Sequence, residues 1–285
     1  MNFLVIGHSV EDHIVSDDHE IIKPGGIYYS VFALSSVISG DSIYLCTSAE
    51  KDNYYLFEDV FNLCKPDFIQ FSGPIPKVLL TIHGEKEREE RYKNINKSLE
   101  IPYDKLNDFD GILINMVTGF DIELEQLKKI RQNFSGIIYL DVHTLSRGMN
   151  HHGHRGFRQI ENFKYWAECV DIIQVNEFEI KTLSDKTSDD EIANEILHSG
   201  TRQIILTKGA LGAAVYYLQN GELNSIFQPV SKVNLGNKIG LGDVFGAVYF
   251  YNYIKTGDLF SSLQKSVFTS GLAAEQNGLI KLKKN

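Results

Sequence analysis

The sequence predicts an α/β protein with a mostly parallel central sheet that is covered by helices on both faces. Short apolar segments alternate with helical patterns along most of the 285 residues, and strand–helix–strand units of this kind place their strands in parallel. Several of the apolar segments show no polar face, as strands buried on both sides require. Sheets of this class bind ligands at the carboxyl ends of their strands.

The individual elements follow from these patterns. Central strands are predicted for residues 3–6, 42–46, 68–71, 111–115, 137–140, 171–175 and 203–207, and helices for residues 27–39, 54–63, 122–134, 157–169 and 189–198. A hairpin of residues 213–218 and 223–227 is predicted to turn at Asn220-Gly221, a dipeptide typical of tight hairpins. A helix that follows Gly240 and runs from Val244, and a last helix over about residues 261–276, complete the prediction.

Two regions interrupt the alternation and predict a small additional sheet. Residues 13–15 and 20–23 resemble short strands, and so do residues 77–83 and the highly charged stretch 88–95. We expect one domain over residues 1–285, with a lid formed by about residues 12–24 and 76–96 that closes over a substrate and excludes water. A solvated surface hairpin is the alternative, because runs of charge are usually only that.

Composition restricts the class of partner. The formal net charge of −9 argues against nucleic acids and anionic membranes. The three cysteines are widely spaced and predict neither a disulfide framework nor a zinc site. The apolar start of the chain is too short for a signal peptide, and no run has the length of a membrane span. We therefore expect a cytoplasmic protein.

The stretch Gly240-Leu241-Gly242-Asp243 carries the most chemical information. Two glycines around one residue let consecutive backbone N–H groups point into one space at a helix N-terminus, where unpaired donors and the helix dipole favour an anion. Asp243 adds a carboxylate that a bound phosphate would repel. This arrangement is explained if Asp243 removes a proton from a hydroxyl that attacks the phosphate, so the stretch predicts phosphoryl transfer to an alcohol.

A purely structural explanation of the same stretch is a tight turn followed by an N-cap aspartate. The motif alone does not separate the cap from the catalytic group, because Gly-x-Gly-Asp is short. The rest of the chain decides between them.

Five short motifs occur in order along nearly the whole chain. They are Gly7 followed by Asp12, Pro24-Gly25-Gly26, Asn176-Glu177-Phe178-Glu179, Thr207-Lys208-Gly209 followed by Gly212, and Gly240-Leu241-Gly242-Asp243. Their order and spacing resemble those of the ribokinase-like (PfkB) carbohydrate kinase family. The resemblance implies a three-layer α/β/α ribokinase-like sandwich with a mostly parallel central sheet and a small β lid. It also implies an ATP-dependent carbohydrate kinase.

On the acceptor side, the resemblance implies that Asp12, Gly25, Gly26 and Ser30 bind a sugar. A carboxylate at position 12 can accept hydrogen bonds from two adjacent hydroxyls. The two glycines let backbone N–H groups approach a hydroxyl closely, because no Cβ intervenes. Ser30 stands where the family often has an asparagine that touches the sugar.

On the donor side, the resemblance implies ATP along Thr207, Lys208, Gly209 and Gly212, with Asn277 near the base. Asn176 and Glu179, one turn apart, would organise Mg²⁺ through its waters, which this ion usually keeps. A helix N-cap at Asn176, strengthened by Glu179 three residues later, is the alternative. In the family mechanism Asp243 is the general base and the N–H groups of Gly240, Leu241 and Gly242 form the anion hole.

Several departures from the family pattern leave alternatives open. The family's D-T-x before the anion hole is Asn237-Lys238-Ile239 here, which leaves K⁺ dependence open, and D-P-N is replaced by Asp141-Val142-His143 with its arginine displaced to Arg147. Asp141 is therefore either a site residue near the phosphates or a loop cap. A nucleoside kinase is the alternative function if Tyr28 and Tyr29 stack on a base, and a catalytically weakened sugar- or nucleotide-binding regulator is another.

The remaining features concern partners. The stretch His151-His152-Gly153-His154 contains three imidazoles close together, yet glycine-flanked histidines are more typical of a polar loop than of a metal site. With Arg155 and Arg158 nearby, contact with an anion is the better explanation. A lid of exposed strands also offers an edge through which a homodimer could form.

Overall fold

A computed structural model of the chain describes residues 1–16, 19–71, 73–81, 89–231 and 239–275. In these residues the strands, numbered in chain order, are β1 (Asn2–Ile6), β2 (Ser9–Ser16), β3 (His19–Gly26), β4 (Ser42–Ser48), β5 (Ile69–Gln70), β6 (Lys77–Thr81), β7 (Glu89–Asn94), β8 (Gly111–Asn115), β9 (Ile137–Asp141), β10 (Arg147–Met149), β11 (Arg155–Phe157), β12 (Ile172–Asn176), β13 (Gln203–Thr207), β14 (Gly212–Gln219) and β15 (Glu222–Pro229). The α-helices are α1 (Ile27–Val37), α2 (Glu58–Phe61), α3 (Leu124–Asn133), α4 (Lys164–Ala167), α5 (Asp189–His198), α6 (Leu241–Thr256) and α7 (Leu259–Ala274).

The main sheet has the strand order β15-β14-β13-β12-β9-β8-β1-β4-β5. All neighbours from β13 to β5 run parallel, whereas β14 pairs antiparallel with β13 and with β15. The predicted α/β class with a mostly parallel central sheet is therefore confirmed.

Helices cover both faces of this sheet, and β1 shows why its residues from Phe3 to Ile6 are all apolar. Leu4 and Ile6 pack into one core cluster, which also receives α3 and α5, whereas Phe3 and Val5 pack into a second cluster under α1, α6 and α7. Because successive side chains of a strand point to opposite faces, a strand between two layers must be apolar at every position. The result is a three-layer α/β/α arrangement.

The helix predicted over residues 157–169 is wrong for most of its length. Arg155–Phe157 is a strand that pairs with Arg147–Met149, and the α-helix is confined to Lys164–Ala167. Asn162 has a φ of 54°, a left-handed conformation that interrupts a right-handed helix. The predicted helix over residues 54–63 is likewise divided into a one-turn 3₁₀ helix at Tyr54–Leu56 and the short α2.

The four strands β3, β2, β6 and β7, in that order, form a separate sheet, which we call the lid sheet. Its first strands are longer than predicted, because the pairing of β2 with β3 extends from Ser9–Gly26 to Ser16–His19. One face of the lid sheet carries apolar side chains that pack with Val117 of the main body. The far edge, β7, is met by the loop of the β10–β11 hairpin, where the Tyr92 N–H donates to the Gly153 carbonyl at 2.9 Å.

Among the described helices, none combines the length and the apolar character that crossing a membrane requires.

Candidate active site

A cavity of about 400 Å³ lies between the lid sheet and the carboxyl ends of β9, β12 and β13, beside the start of α6. It brings together residues from all five motifs. The predicted site residues that line it are Asp12, Gly26, Asn176, Glu179, Thr207, Gly240, Leu241, Gly242 and Asp243. Asp141 and Arg147 line it as well.

The start of α6 is built around Gly240. This residue is the N-cap, with a φ of 76°, a conformation that L side chains rarely adopt. A Cβ at this position would lie 2.3 Å from the ring of Tyr29, so only glycine fits. The helix begins at Leu241, three residues earlier than predicted, and Asp243 is the third helical residue rather than the N-cap. The capping explanation therefore does not account for Asp243.

Asp243 is held by a residue that the motifs did not identify. The side-chain amide of Asn115, the last residue of β8, donates to Asp243 Oδ1 and also lies 3.2 Å from Ser30 Oγ. Ser30 is buried and does not line the cavity, so its hydroxyl serves this hydrogen-bond chain instead of facing an acceptor. A polar side chain at the end of an otherwise apolar strand was the available signal for Asn115.

Gln174 connects α6 to the sheet through hydrogen bonds. Its Nε2 donates to Asp141 Oδ2 at 3.0 Å and to the Gly242 carbonyl at 3.1 Å, while its Oε1 accepts from the Tyr139 hydroxyl at 2.6 Å. A Cβ on Gly246 would lie 2.8 Å from Gln174 Oε1, so a side chain there would displace this amide. Gln174 was also missed, although it is the one strongly polar residue inside β12.

Three carboxyl groups meet at this side of the cavity. Burial raises the pKa of Asp141 well above its ordinary value, and the charges of Glu179 and Asp243 raise it further. The charges of Glu179 and Asp243 thus disfavour ionisation of Asp141. A cation at this place would relieve that repulsion.

Asn176 and Glu179 form a closed local turn. Asn176 Oδ1 accepts from the N–H groups of Phe178 and Glu179, and the Glu179 carboxylate accepts from the backbone and side-chain amides of Asn176. This is the capping arrangement named above as the alternative, here before a 3₁₀ turn at Ile180–Thr182. Both residues still line the cavity. Within the described ranges, no three His, Cys, Asp or Glu side chains are grouped to hold a metal ion directly.

The lid side of the cavity is formed by β2, β6 and β7. Asp12 lies against Gly25, where a Cβ would be 2.2 Å from the Asp12 carboxylate, and Gly26 has a φ of 62°. Gly25 itself does not line the cavity. Glu90 does; it belongs to the charged stretch 88–95 that was expected in the lid, with a solvated surface hairpin as the alternative.

The remaining predicted donor residues lie outside the cavity lining. Lys208 Nζ is 3.8 Å from an Asp189 carboxylate oxygen. Gly212 has a φ of 129°, and a Cβ there would lie 2.1 Å from the Gln228 carbonyl oxygen; Gly209 begins a 3₁₀ turn. Both glycines therefore shape the turn into β14. Asn277, Asn237 and Lys238 lie outside the described residues.

Two residues in the segment after β9, where the sequence departs from the family pattern, line the cavity. Arg147 is buried, lines the cavity, and has its guanidinium carbon 4.1 Å from the Phe157 ring centroid. His143, also in the lining, adopts a φ of 38°. The displaced arginine therefore reaches the cavity through the β10–β11 hairpin.

The histidine stretch lies elsewhere. The His151 and His152 rings are 3.9 Å apart in a second groove with Arg91 and Lys93. These histidines do not line the cavity that holds Asp243.

Comparison with known proteins supports the resemblance in the later part of the chain and shows the fold of the whole chain. Residues 156–285 match the family model described as pfkB family carbohydrate kinase. A search of curated proteins gave no match.

Three solved structures illustrate the similarity of fold. One is a pyrophosphate-dependent kinase in the ribokinase family, solved as a sulfate complex, with a TM-score of 0.81, 15% identity, and coverage of 99% of this chain and 100% of that chain. Arabidopsis thaliana ribokinase complexed with ribose and ATP has a TM-score of 0.73, 14% identity, and coverage of 100% and 98%. An E. coli ribokinase II structure with ATP and Mg²⁺ has a TM-score of 0.72, 16% identity, and coverage of 99% and 97%.

The family model matches the part of the chain that holds the last three motifs, and the solved structures share the fold of the whole chain. The match of residues 156–285 to the family model, together with the ribokinase fold of the whole chain, confirms the resemblance to the ribokinase-like (PfkB) carbohydrate kinase family.

Proposed function

We propose that the protein transfers a phosphoryl group from ATP to a hydroxyl of a sugar or sugar-like alcohol. The observation that carries this proposal is the position of Asp243. It lies in the first turn of α6, in a cavity that also receives the N-terminus of that helix. A base beside an anion-binding helix end is what phosphoryl transfer to an alcohol needs, and what a binding protein does not need.

The chain's own residues would act as follows. Asp243 takes the proton of the attacking hydroxyl as the new P–O bond forms. The Asn115 amide, which donates to Asp243 Oδ1, keeps the carboxylate in one orientation while its other oxygen accepts the proton. Backbone N–H groups at the start of α6 stabilise the charge on the transferred group, and such preorganised donors are typically worth about 3–4 kcal/mol each.

ATP would supply the phosphoryl group, and Mg²⁺ would neutralise charge on its phosphates. The residues present fit this role. The raised pKa of Asp141 reflects burial and the charges of Glu179 and Asp243, a setting that favours a bound cation. Because the three groups do not form a direct ligand cluster, we propose that Asn176 and Glu179 hold the ion through water, as Mg²⁺ sites near phosphates commonly do. Thr207 would lie beside the nucleotide.

Pyrophosphate is a second candidate donor. Arg147 and His143 line the cavity and can neutralise a compact phosphate chain. The sulfate-complexed kinase of the same fold is pyrophosphate-dependent. By contrast, Lys208 and Gly209, expected beside a nucleotide, do not line the cavity.

No contact of Tyr28 supports the nucleoside kinase alternative. The Tyr28 hydroxyl donates to Asp59 at 2.9 Å, and its ring packs edge-on against Tyr29. Tyr29 packs on Gly240 and also lines the cavity. The Tyr28 ring is therefore used in packing, and because Tyr29 borders the cavity, nucleosides are included in the acceptor panel.

We further propose that residues 1–285 act as one kinase domain with the lid sheet as its lid, and that two copies pair through that sheet. The β7 edge is met by the loop at residues 150–154, whereas β3 exposes Ile21 and Ile22. Light scattering should show a dimer that Ile22→Lys converts to monomer. A monomeric wild type would contradict the pairing.

The experiment that tests the proposed function measures phosphoryl transfer to a panel of pentoses, hexoses, polyols and nucleosides. ATP and pyrophosphate, each with Mg²⁺, are supplied in parallel as donors. We expect turnover with one acceptor class, and at least a thousandfold loss in Asp243→Asn, consistent with removal of a general base and roughly the range seen for catalytic groups. Asp190→Asn, a first-turn aspartate of α5, removes the same charge elsewhere and should leave turnover unchanged. Equal turnover in Asp243→Asn and wild type would refute the assignment.

A further inference from the structure

The cavity lining is strongly acidic. It contains five carboxylic side chains, and its cationic or titratable nitrogen groups among the described residues are Arg147 and His143. The acidic residues are Asp12, Glu90, Asp141, Glu179 and Asp243. A phosphate donor would already use Arg147, the start of α6 and a divalent cation. The described lining therefore holds no further positive charge for a second anion.

Glu90 brings one of these carboxyl groups from the lid sheet. It pairs with Leu80, and Tyr92 pairs with Val78, so these four side chains share the face that lines the cavity. Glu90 is 4% exposed and Asp12 is 6% exposed. Arg155 is not part of the lining; its guanidinium carbon lies 5.4 Å from the Tyr92 ring centroid, and its charge interacts with that of Glu90 from outside the cavity.

We propose that the phosphate acceptor is an uncharged or amino-bearing polyol, and that Glu90 is the lid residue that excludes anionic acceptors. This inference rests on the proposed function, because it concerns the second substrate of the same cavity. It narrows that substrate from any sugar-like alcohol to one without carboxylate or phosphate groups.

The physical reason is the chemistry of a buried carboxylate. Its two oxygens accept hydrogen bonds from hydroxyl or ammonium groups, and such charge-assisted bonds are stronger than neutral ones. A phosphate or carboxylate on the acceptor would face Asp12 and Glu90 instead. Like charges brought together in a partly dry site cost several kcal/mol. The apolar neighbours Val10, Val78 and Leu80 would cover the carbon skeleton of the polyol.

The test measures binding by calorimetry without any donor, so that it does not depend on catalysis. The probes are matched series on one carbon skeleton, namely glucose, glucosamine, gluconate and glucose 6-phosphate, with the corresponding pentose and inositol compounds. In whichever series binds, we expect the anionic members to bind about a hundredfold more weakly than the neutral and amino members.

Glu90→Gln keeps the shape of the side chain and removes its charge. We expect this variant to reduce the discrimination against anionic members roughly tenfold and to weaken binding of the amino member. Glu20→Gln is the matched control, because Glu20 is a lid glutamate that contacts His13 and does not line the cavity. It should bind all probes as the wild type does.

Three results would overturn the inference. The first is tight binding of an anionic probe by the wild type. The second is an equal change of probe discrimination in Glu90→Gln and Glu20→Gln, and the third is that no probe binds to a protein that still binds its phosphate donor. The proposed function fails separately. If the neutral probes bind with the expected preference but receive no phosphate, the cavity specificity stands and the kinase assignment does not.

Discussion

Asn115 shows how much a single side chain at the end of a strand can determine. Its amide connects Asp243 to Ser30, so it orients the proposed base without touching the acceptor. We predict that Asn115→Ala lowers kcat about tenfold to a hundredfold, within the range of general-base contributions, and leaves acceptor binding nearly unchanged. Steady-state kinetics and calorimetry check this. The control is Asn224→Ala, which loses only a local hydrogen bond to the Glu222 carbonyl. An equal loss of kcat in this control, or a change in Asn115→Ala that affects only KM, would contradict a positioning role.

The raised pKa of Asp141 predicts that the stability of the protein depends on pH. Its pKa is raised in the folded state by burial and by the charges of Glu179 and Asp243, so the folded protein retains a proton that the unfolded chain loses at about pH 4. The free energy of unfolding contributed by this group therefore falls as pH rises from that value towards the raised pKa. Asp141→Asn should remove this slope and be more stable than wild type at pH 7. Urea unfolding from pH 5 to 8 measures the difference; a difference that is constant across this range would contradict the prediction.

The sequence alone identified site residues that belong to a recognisable motif. It did not identify residues whose role depends on a neighbour in the folded structure. Asp243 was singled out because a carboxylate beside glycines at a helix start is unusual, and Asp12 because its place after Gly7 resembles that of the family's sugar-binding aspartate. Asn115, Gln174 and Glu90 were missed because their roles depend on which strand ends and faces meet in three dimensions. Ser30 was placed by its distance from a double glycine, and that distance does not fix the direction of a side chain.

The glycines at the two ends of α6 allow the cost of a left-handed backbone conformation to be separated from the cost of steric overlap. Gly240 and Gly257 both adopt left-handed conformations, with φ of 76° and 67°. A Cβ meets the Tyr29 ring at Gly240, whereas nothing lies within 4 Å of one at Gly257. We predict that Gly257→Ala costs about 1 kcal/mol of unfolding free energy, the usual penalty for this conformation. Gly240→Ala should cost about 2–4 kcal/mol, because steric overlap is added. Equal costs in urea denaturation would show that Tyr29 does not restrict the N-terminus.

Among the elements, the apolar strands were predicted almost to the residue, and β8 and β13 have the predicted bounds. Their apolar character on both faces follows from burial and leaves little freedom. The segment after residue 155 was mispredicted because its pairing partner, β10, is only three residues long and carries no alternating pattern. Strands this short are fixed by tertiary contacts and leave a weak trace in sequence.

For the whole molecule, Arg155 joins the hairpin to the main body and to the lid sheet. Its Nη2 donates to the Thr118 and Thr144 carbonyls at 3.0 and 2.8 Å, and its guanidinium lies near the rings of Tyr92 and Phe120. We predict that Arg155→Ala lowers the free energy of unfolding by about 2–4 kcal/mol, since two buried carbonyls lose their charged donor.

The matched control for that prediction is Arg158→Ala, at an exposed position three residues along the same segment, which should cost less than about 0.5 kcal/mol. Limited proteolysis should also cleave the lid sheet of the Arg155 variant faster than that of the wild type. Equal stability of the two variants, with unchanged proteolysis, would show that this arginine does not couple the lid sheet to the body.

The acidic lining of the cavity also bears on what happens after transfer. An acceptor that enters without charge leaves as an ester with about two negative charges near neutral pH, since the second pKa of such a phosphate is near 6. The walls that accepted its hydroxyls then repel it, so release is favoured by the reaction itself. Product inhibition should accordingly be weak, and rebinding of the ester for the reverse reaction should be slow and steeply dependent on ionic strength.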